Sequence, residues 1–165
     1  MADKVTFAVG CTPQEELTNE NSGTIYVIAS EVNKSLGGSG AATCDSYAGT
    51  AANQGYLNAT VNYMEAIDSA DTTDISAEGT ATFVFIKNTG YTFSSATALG
   101  DALSKSLKVM SGTTLISVLD AGEAIVLKDD NAGIACTGIH VRTVDTDGNN
   151  NASAGHLAVE YLVVD

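Results

Sequence analysis

The sequence predicts an all-β protein, a single-domain antiparallel β-sandwich or jelly roll over residues 1–165, with one long Gly/Ala/Ser loop and one short helix. Short runs rich in Val, Ile, Thr, Phe and Tyr recur between clusters of Gly, Asn, Asp and Ser, a pattern typical of strands joined by turns. Apolar residues form 44% of the chain, which is enough for a core without disulfides or metals. The predicted strands are 4–9, 24–31, 57–63, 80–88, 105–110, 113–119, 124–128, 134–143 and 156–164.

Two of these strands have clear burial patterns. Both alternating faces of Thr82–Lys87 are apolar, which indicates a strand covered on both sides. The last strand, HLAVEYLVV, has only apolar residues on the face of Leu157 and Val159, and Glu160 among apolar residues on the other; it ends one residue before the last of the sequence, and we expect it to be tied into a sheet. If this terminal strand lay at a sheet edge, another subunit could pair with it.

Two turns follow predicted strands. Asn88-Thr89-Gly90 and Asp120-Ala121-Gly122 each supply a residue that tolerates positive φ, so each predicts a reversal of the chain. The strands 115–119 and 124–127 are then expected to form a hairpin.

Three segments depart from the strand pattern. Residues 1–23 are interpreted as an N-terminal arm, and residues 35–55, rich in Gly, Ala and Ser, as a loop that is flexible or ordered by assembly. Leucines at 99, 103 and 107 have helical spacing, which predicts a short helix over 98–105 although Gly100 disfavours it.

The charge excludes some partners. Twenty acidic and seven basic residues give a net charge of −13, which repels nucleic acid and anionic membrane surfaces. The acidity can serve solubility alone, restrain self-association or face a basic partner. Cys11, Cys44 and Cys136 have no CxxC or zinc-site spacing, and the amino terminus lacks a signal-peptide pattern, so we expect free thiols and synthesis in a cytoplasm.

The motifs that could carry chemistry all fall short. DTDGNNN at 145–151 resembles a calcium loop, but Asn150 and His156 replace the required Gly and Glu, and a polar hairpin loop between strands 134–143 and 156–164 is preferred. GGSG at 37–40 fits neither a nucleophile elbow nor a phosphate loop. Along one extended strand, Cys136 and His140 would lie about 13 Å apart, too far for a nucleophile pair.

The remaining carboxylates, at 68, 71, 74, 129 and 130, are interpreted as solvated loop charges. The two histidines, His140 and His156, lie in or beside predicted strands without a partner for catalysis. The sequence therefore predicts no catalytic, cofactor-binding or metal-binding residue and no enzyme activity.

From Thr80 onward, the strand FVFIKNTG, the strand SLKVM, the pair TTLISVLDAGEAIVL and a C-terminal strand follow one another. This order resembles the small structural proteins of tailed bacteriophages, particularly head decoration (cement) proteins. The resemblance covers about the C-terminal half of the chain. It implies a β-sandwich or jelly roll on the capsid surface of the virion, often a homotrimer, with the major capsid protein as partner and no catalytic residues.

Two other hypotheses stay open. One is a tail, neck or fibre component of the virion, which would be present in few copies. The other is a glycan-binding β-sandwich module that uses loops at one end of the sandwich. The chain has no Trp, so an aromatic platform for sugars is not evident in the sequence.

Overall fold

The all-β class is confirmed. The computed structural model describes residues 3–19, 23–31, 34–44, 55–57, 60–67, 73–75, 79–144 and 156–164, and within these ranges it contains antiparallel strands, one 3-10 turn and no α-helix. Contacts divide the chain into two compact units, Lys4–Thr43 and a second unit formed by Met1–Asp3 with Cys44–Asp165. The single domain over residues 1–165 stays a prediction.

The N-terminal unit consists of two pairs of strands. Strand β1 (Asp3–Cys11) pairs with β4 (Leu36–Cys44), and β2 (Gln14–Asn19) pairs antiparallel with β3 (Gly23–Ile28). Gly23 begins β3 with φ of 77°, a left-handed conformation that glycine adopts without steric cost. The arm predicted for residues 1–23 is therefore strand over most of its described length.

The loop predicted for residues 35–55 is wrong over 36–44, which form β4. The Phe7 ring of β1 lies so close to Gly40 that a Cβ there would stand 2.6 Å from the ring. The aromatic ring supplies packing that the glycine, which has no side chain, cannot supply. Glycine has a weak preference for strands, so β4 depends on its backbone pairing with β1. Residues 45–54 lie outside the described residues.

The first sheet of the larger unit is built around one long strand. Strand β9 (Phe83–Ser95) pairs on one side with β15 (Leu157–Val164), which also pairs with β7 (Met64–Ala66). On its other side, β9 pairs first with β13 (Ala124–Lys128) and then with β10 (Ala98–Ala102). The C-terminal strand β15 is thus tied into a sheet, as predicted, but lies inside the sheet and not at its edge.

The second sheet has the order β12-β11-β14-β8, formed by β12 (Thr114–Leu119), β11 (Ser106–Ser111), β14 (Ile139–Val144) and β8 (Thr73–Asp74). A separate short pair joins β5 (Tyr56–Leu57) to β6 (Thr60–Val61), and a 3-10 turn at Cys136–Gly138 precedes β14. Both larger sheets contribute to one buried cluster, whose members include Val84, Ile86, Leu107, Val109, Val141, Val159 and Tyr161.

Two predicted hairpins are wrong. Strand β12 pairs with β11 while β13 pairs with β9, so the turn at 120–122 joins two sheets. Likewise β14 and β15 belong to different sheets, so the hairpin predicted between them is wrong. Positive-φ residues permit a change of direction, but the choice of pairing partner depends on which apolar faces meet in the core.

Two further predictions are corrected within this unit. The helix predicted over 98–105 is wrong, because residues 98–102 pair with β9 as strand β10. The reversal predicted at Asn88–Gly90 is also wrong: β9 continues through it, with Gly90 at φ of 75°, and changes its partner from β13 to β10 there. By contrast, burial of Phe83, Val84 and Ile86 confirms that this strand is covered on both faces.

Candidate functional site

The residues that could have formed a nucleophile pair are engaged elsewhere. Cys136 is buried in the 3-10 turn, and its thiol donates to the carbonyl of Ile134 at 3.5 Å. Nδ1 of His140, in β14, lies 2.5 Å from Oδ1 of Asp74, which is its register partner in β8. The sequence predicted one strand containing both Cys136 and His140, but Cys136 lies in the 3-10 turn before β14. The two side chains contact different residues and do not form a pair.

The other sequence candidates are similarly dispersed. His156 contacts Glu65 through Nδ1, and GGSG lies within strand β4 and not in a loop. Oδ1 of Asp129 accepts hydrogen bonds from the backbone N–H groups of Asn131 and Ala132, as in an Asx turn. DTDGNNN and the aspartates at 68 and 71 lie outside the described residues.

Within the described ranges, no group of three or more His, Cys, Asp or Glu residues could hold a metal ion. No helix in the same ranges has the length and apolar character needed to span a membrane.

A buried asparagine organises the polar region where β9 changes partners. The Asn88 amide Nδ2 donates to the carbonyls of Lys105 at 2.8 Å and Leu119 at 2.9 Å, and its Oδ1 accepts from the N–H of Gly90 at 2.9 Å. Its backbone N–H donates to the carbonyl of Glu123 at 3.0 Å. Asn88 thereby joins β9 to the segments that flank β11, β12 and β13. Sequence reasoning assigned it only to a turn.

A pocket of about 220 Å³ lies beside this region, lined by Ser104, Lys105, Asp120 and Ala121. Lys105 is buried, and the hydroxyl of Ser106 donates to Oδ1 of Asp120 at 2.6 Å. The Asp120 N–H donates to the carboxylate of Glu123 at 2.8 Å. These bonds hold the 120–123 turn against β11, which gives the polar groups around the pocket a structural role.

A second polar cluster joins β5 to the first sheet. The Tyr56 hydroxyl donates to Glu160 of β15, and Glu160 pairs with Lys87 of β9 at 3.4 Å. Burial raises the pKa of the Tyr56 phenol above its ordinary value near 10, and the hydrogen bond and charge of Glu160 raise it further. Burial also raises the pKa of Tyr161.

We expect Tyr56→Phe to lower the free energy of unfolding by about 1 kcal/mol near pH 8, because it removes a hydrogen bond to a carboxylate that is still partly exposed. Since the folded-state pKa of Tyr56 exceeds the unfolded value, its contribution is complete below about pH 10 and declines at higher pH. The difference between wild type and variant should therefore shrink above pH 10. Urea unfolding at pH 8 and pH 11 measures it.

Tyr91→Phe is the matched control, because Tyr91 is exposed and lies on the same sheet. It should change the free energy of unfolding little at either pH. A loss for Tyr56→Phe that stays constant from pH 8 to pH 11 would contradict the raised pKa.

The β2–β3 hairpin of the N-terminal unit exposes apolar side chains on both faces. Every residue of β3 is exposed, and Tyr26 retains 62% of its accessible surface. Register pairs place Leu17, Ile25 and Val27 on one face, with Glu15 opposite Val27. The other face carries Tyr26 opposite Glu16 and Ile28 opposite Gln14.

This exposed hairpin is the candidate interaction surface. A two-stranded hairpin alone is marginally stable in water, and exposed apolar residues that are contiguous and not scattered mark contact sites. The face of Leu17, Ile25 and Val27 is called the apolar face below. The β-branched run of β3 predicted a strand there, whereas β2 was missed because QEELTN has no such run. The sequence alone could not show that β3 has only one neighbouring strand.

Comparison of the chain with protein-family models, curated proteins and solved structures gave no match.

Proposed function

We propose that this chain is a non-enzymatic structural protein of a tailed-bacteriophage virion, which binds the outside of the capsid and stabilises it as a decoration (cement) protein. The major capsid protein is its partner, and it associates with itself. The observation that carries the proposal is the exposed β2–β3 hairpin in the N-terminal unit of a chain whose larger unit has its own buried core. In this proposal the two larger sheets form the β-sandwich or jelly roll that the resemblance to decoration proteins implies.

In this proposal the larger unit is the structural body and the hairpin is the contact element. The core cluster lies wholly within the larger unit, which can stabilise it as a body, although a few of its apolar side chains, such as Leu115 and Val118, remain exposed. The hairpin instead presents the apolar face to solvent, where the three side chains are 37–46% exposed and each gains roughly 1 kcal/mol if a partner buries the remainder. Such contacts, repeated by the symmetry of a lattice, give strong attachment from weak single interactions. The net charge of −13 keeps the free protein soluble before assembly.

The first experiment counts this protein against the major capsid protein in purified particles by quantitative mass spectrometry. A ratio near one, or a simple fraction such as about one third, is expected from lattice symmetry. A few copies per particle would move the chain to the tail or neck, and absence from particles would refute the virion role.

A second experiment adds purified protein to particles that lack it and measures the bound copies. Leu17→Asp, on the apolar face, should weaken binding at least about tenfold, because a charge replaces a side chain buried by the capsid. Leu115→Asp is the matched control, since Leu115 is 49% exposed and Leu17 44%. Equal binding by the two variants would exclude the apolar face as the contact, and no binding by wild type would refute the decoration role.

A further inference from the structure

The free edge of β3 has a defined hydrogen-bonding pattern. Ala29, just after β3, donates its N–H to the carbonyl of Pro13 at 3.0 Å, so this pair is hydrogen-bonded across the hairpin. Because such pairs alternate along an antiparallel ladder, Val27 and Ile25 also direct their backbone groups towards β2. The N–H and C=O groups of Thr24, Tyr26 and Ile28 therefore point away from β2, and no described strand pairs with them.

This edge lacks the features that usually prevent strands from pairing between molecules. Edge strands are commonly protected by Lys, Pro, a bulge or very short length. Strand β3, GTIYVI, has no charged residue and no Pro, and its register with β2 runs through all six pairs without a shift. It is therefore ready to accept another strand.

We propose that β3 pairs antiparallel with β3 of a second copy about a two-fold axis at Tyr26, giving a four-stranded sheet β2-β3-β3-β2 across two molecules. This inference rests on the proposed assembly role and names the self-contact within it. The axis at Tyr26 follows from the free backbone groups, because it alone pairs all three outward residues: Tyr26 with Tyr26 of the partner subunit, and Thr24 with the partner's Ile28.

The side chains fit this register. On the apolar face, Ile25 lies across from the partner's Val27, and such pairs of β-branched residues stabilise antiparallel strands. On the other face, Tyr26 and the partner's Tyr26 form an aromatic pair, which also stabilises them. Leu17 lies beside Ile25 on the neighbouring strand, so the apolar faces of the two copies become one continuous surface. The dimer would thus present to the capsid an apolar face twice as wide.

Charge favours a second copy over an unrelated partner strand. The pairing strand is uncharged, so it offers no charge by which to select a basic or acidic peptide. Glu15 and Glu16 lie on β2, the outer strand. Three strand spacings, about 14 Å, would separate the two β2 strands. This exceeds the Debye length of about 8 Å at 0.15 M salt, so repulsion between these glutamates is largely screened.

Disulfide trapping of the purified full-length protein tests the register. In a Cys11→Ser, Cys44→Ser background, Tyr26→Cys places two cysteines in one hydrogen-bonded pair with Cα atoms about 5.5 Å apart, within the range of a disulfide. Ile25→Cys is the matched control on the same strand. Its two copies would lie two positions out of register, about 8 Å apart, which is too far for a disulfide.

Oxidation with copper phenanthroline should give a covalent dimer for Tyr26→Cys and little for Ile25→Cys. Equal cross-linking of both would indicate random collision and overturn the proposal. Cross-linking of Ile25→Cys alone would place the axis elsewhere and refute this register. Absence of any cross-link would refute the contact.

Sedimentation velocity of the protein without cysteine substitutions gives an independent test. Wild type is expected to be a dimer, and Tyr26→Lys should raise the dissociation constant at least about tenfold by placing two like charges at the axis. Tyr26→Thr, which keeps a strand-forming residue there, should remain closer to wild type. A wild-type monomer, or the trimer that the resemblance implies, would overturn two-fold pairing. A monomer found at lattice stoichiometry in particles would refute only this inference, whereas a dimer absent from particles would refute only the decoration role.

Discussion

Leu107→Ala should lower the free energy of unfolding by about 3 kcal/mol, within the range of about 2–5 kcal/mol seen for buried leucines. Leu107 is fully buried in β11, the strand between β12 and β14, and belongs to the cluster that both larger sheets share. Truncation to alanine removes its apolar surface and leaves a cavity that rigid neighbouring strands close only in part. Urea unfolding near pH 7, followed by circular dichroism, measures the change.

Leu115→Ala is the matched control, because it is the same substitution on the adjacent strand β12 at a side chain that is 49% exposed. We expect a change within about 0.5 kcal/mol. Similar losses for the two variants would mean that Leu107 is not buried in the core cluster that the two sheets share.

Asn88→Ala should cost about 3 kcal/mol. The substitution leaves the carbonyls of Lys105 and Leu119 without their amide donor and removes the acceptor of the Gly90 N–H. Asn88 is fully buried, so water cannot readily replace these partners, and each unsatisfied buried group costs about 1–3 kcal/mol. Equilibrium unfolding again supplies the measurement.

Two further variants isolate the cause of that loss. Asn88→Asp keeps the acceptor for Gly90 but places a carboxylate oxygen against two carbonyl oxygens, so it should destabilise the protein at least as much as alanine near pH 7. Asn131→Ala, at an exposed turn position, should have little effect. A mild effect of Asn88→Asp would show that the two amide donor bonds contribute little.

Strands with strong apolar patterns could be predicted from the sequence, and their pairing could not. The predicted strands at 124–128 and 156–164 agree closely with β13 and β15, because both are continuous apolar runs, and in β15 the run reflects burial on both faces. Strand β4 was missed, since its stability comes from β1 and the ring of Phe7 and not from its own Gly-rich residues. Pairing depends on distant residues, so turn chemistry at 120–122 could not show that the chain crosses between sheets.

The candidate site could be predicted from the sequence less well than the strands. The run TIYVI predicted a strand correctly, but it would read the same in a buried strand as in the exposed β3. Only the structure shows its outward-facing backbone groups. Asn88 is a similar case, because an asparagine before Thr-Gly is typical of a turn, and its buried bonds arise from segments far along the chain.

The central position of β15 has a consequence for synthesis on the ribosome. The hydroxyl of Thr82 reaches the carbonyl of Val164 across 82 residues of sequence, and β9 and β7 both depend on β15 as their shared neighbour. Residue 164 must therefore leave the ribosomal exit tunnel before this sheet can close. Pairing between such distant segments is slow to form. Throughout that interval the apolar faces of β9 are open to chaperones and to other nascent chains.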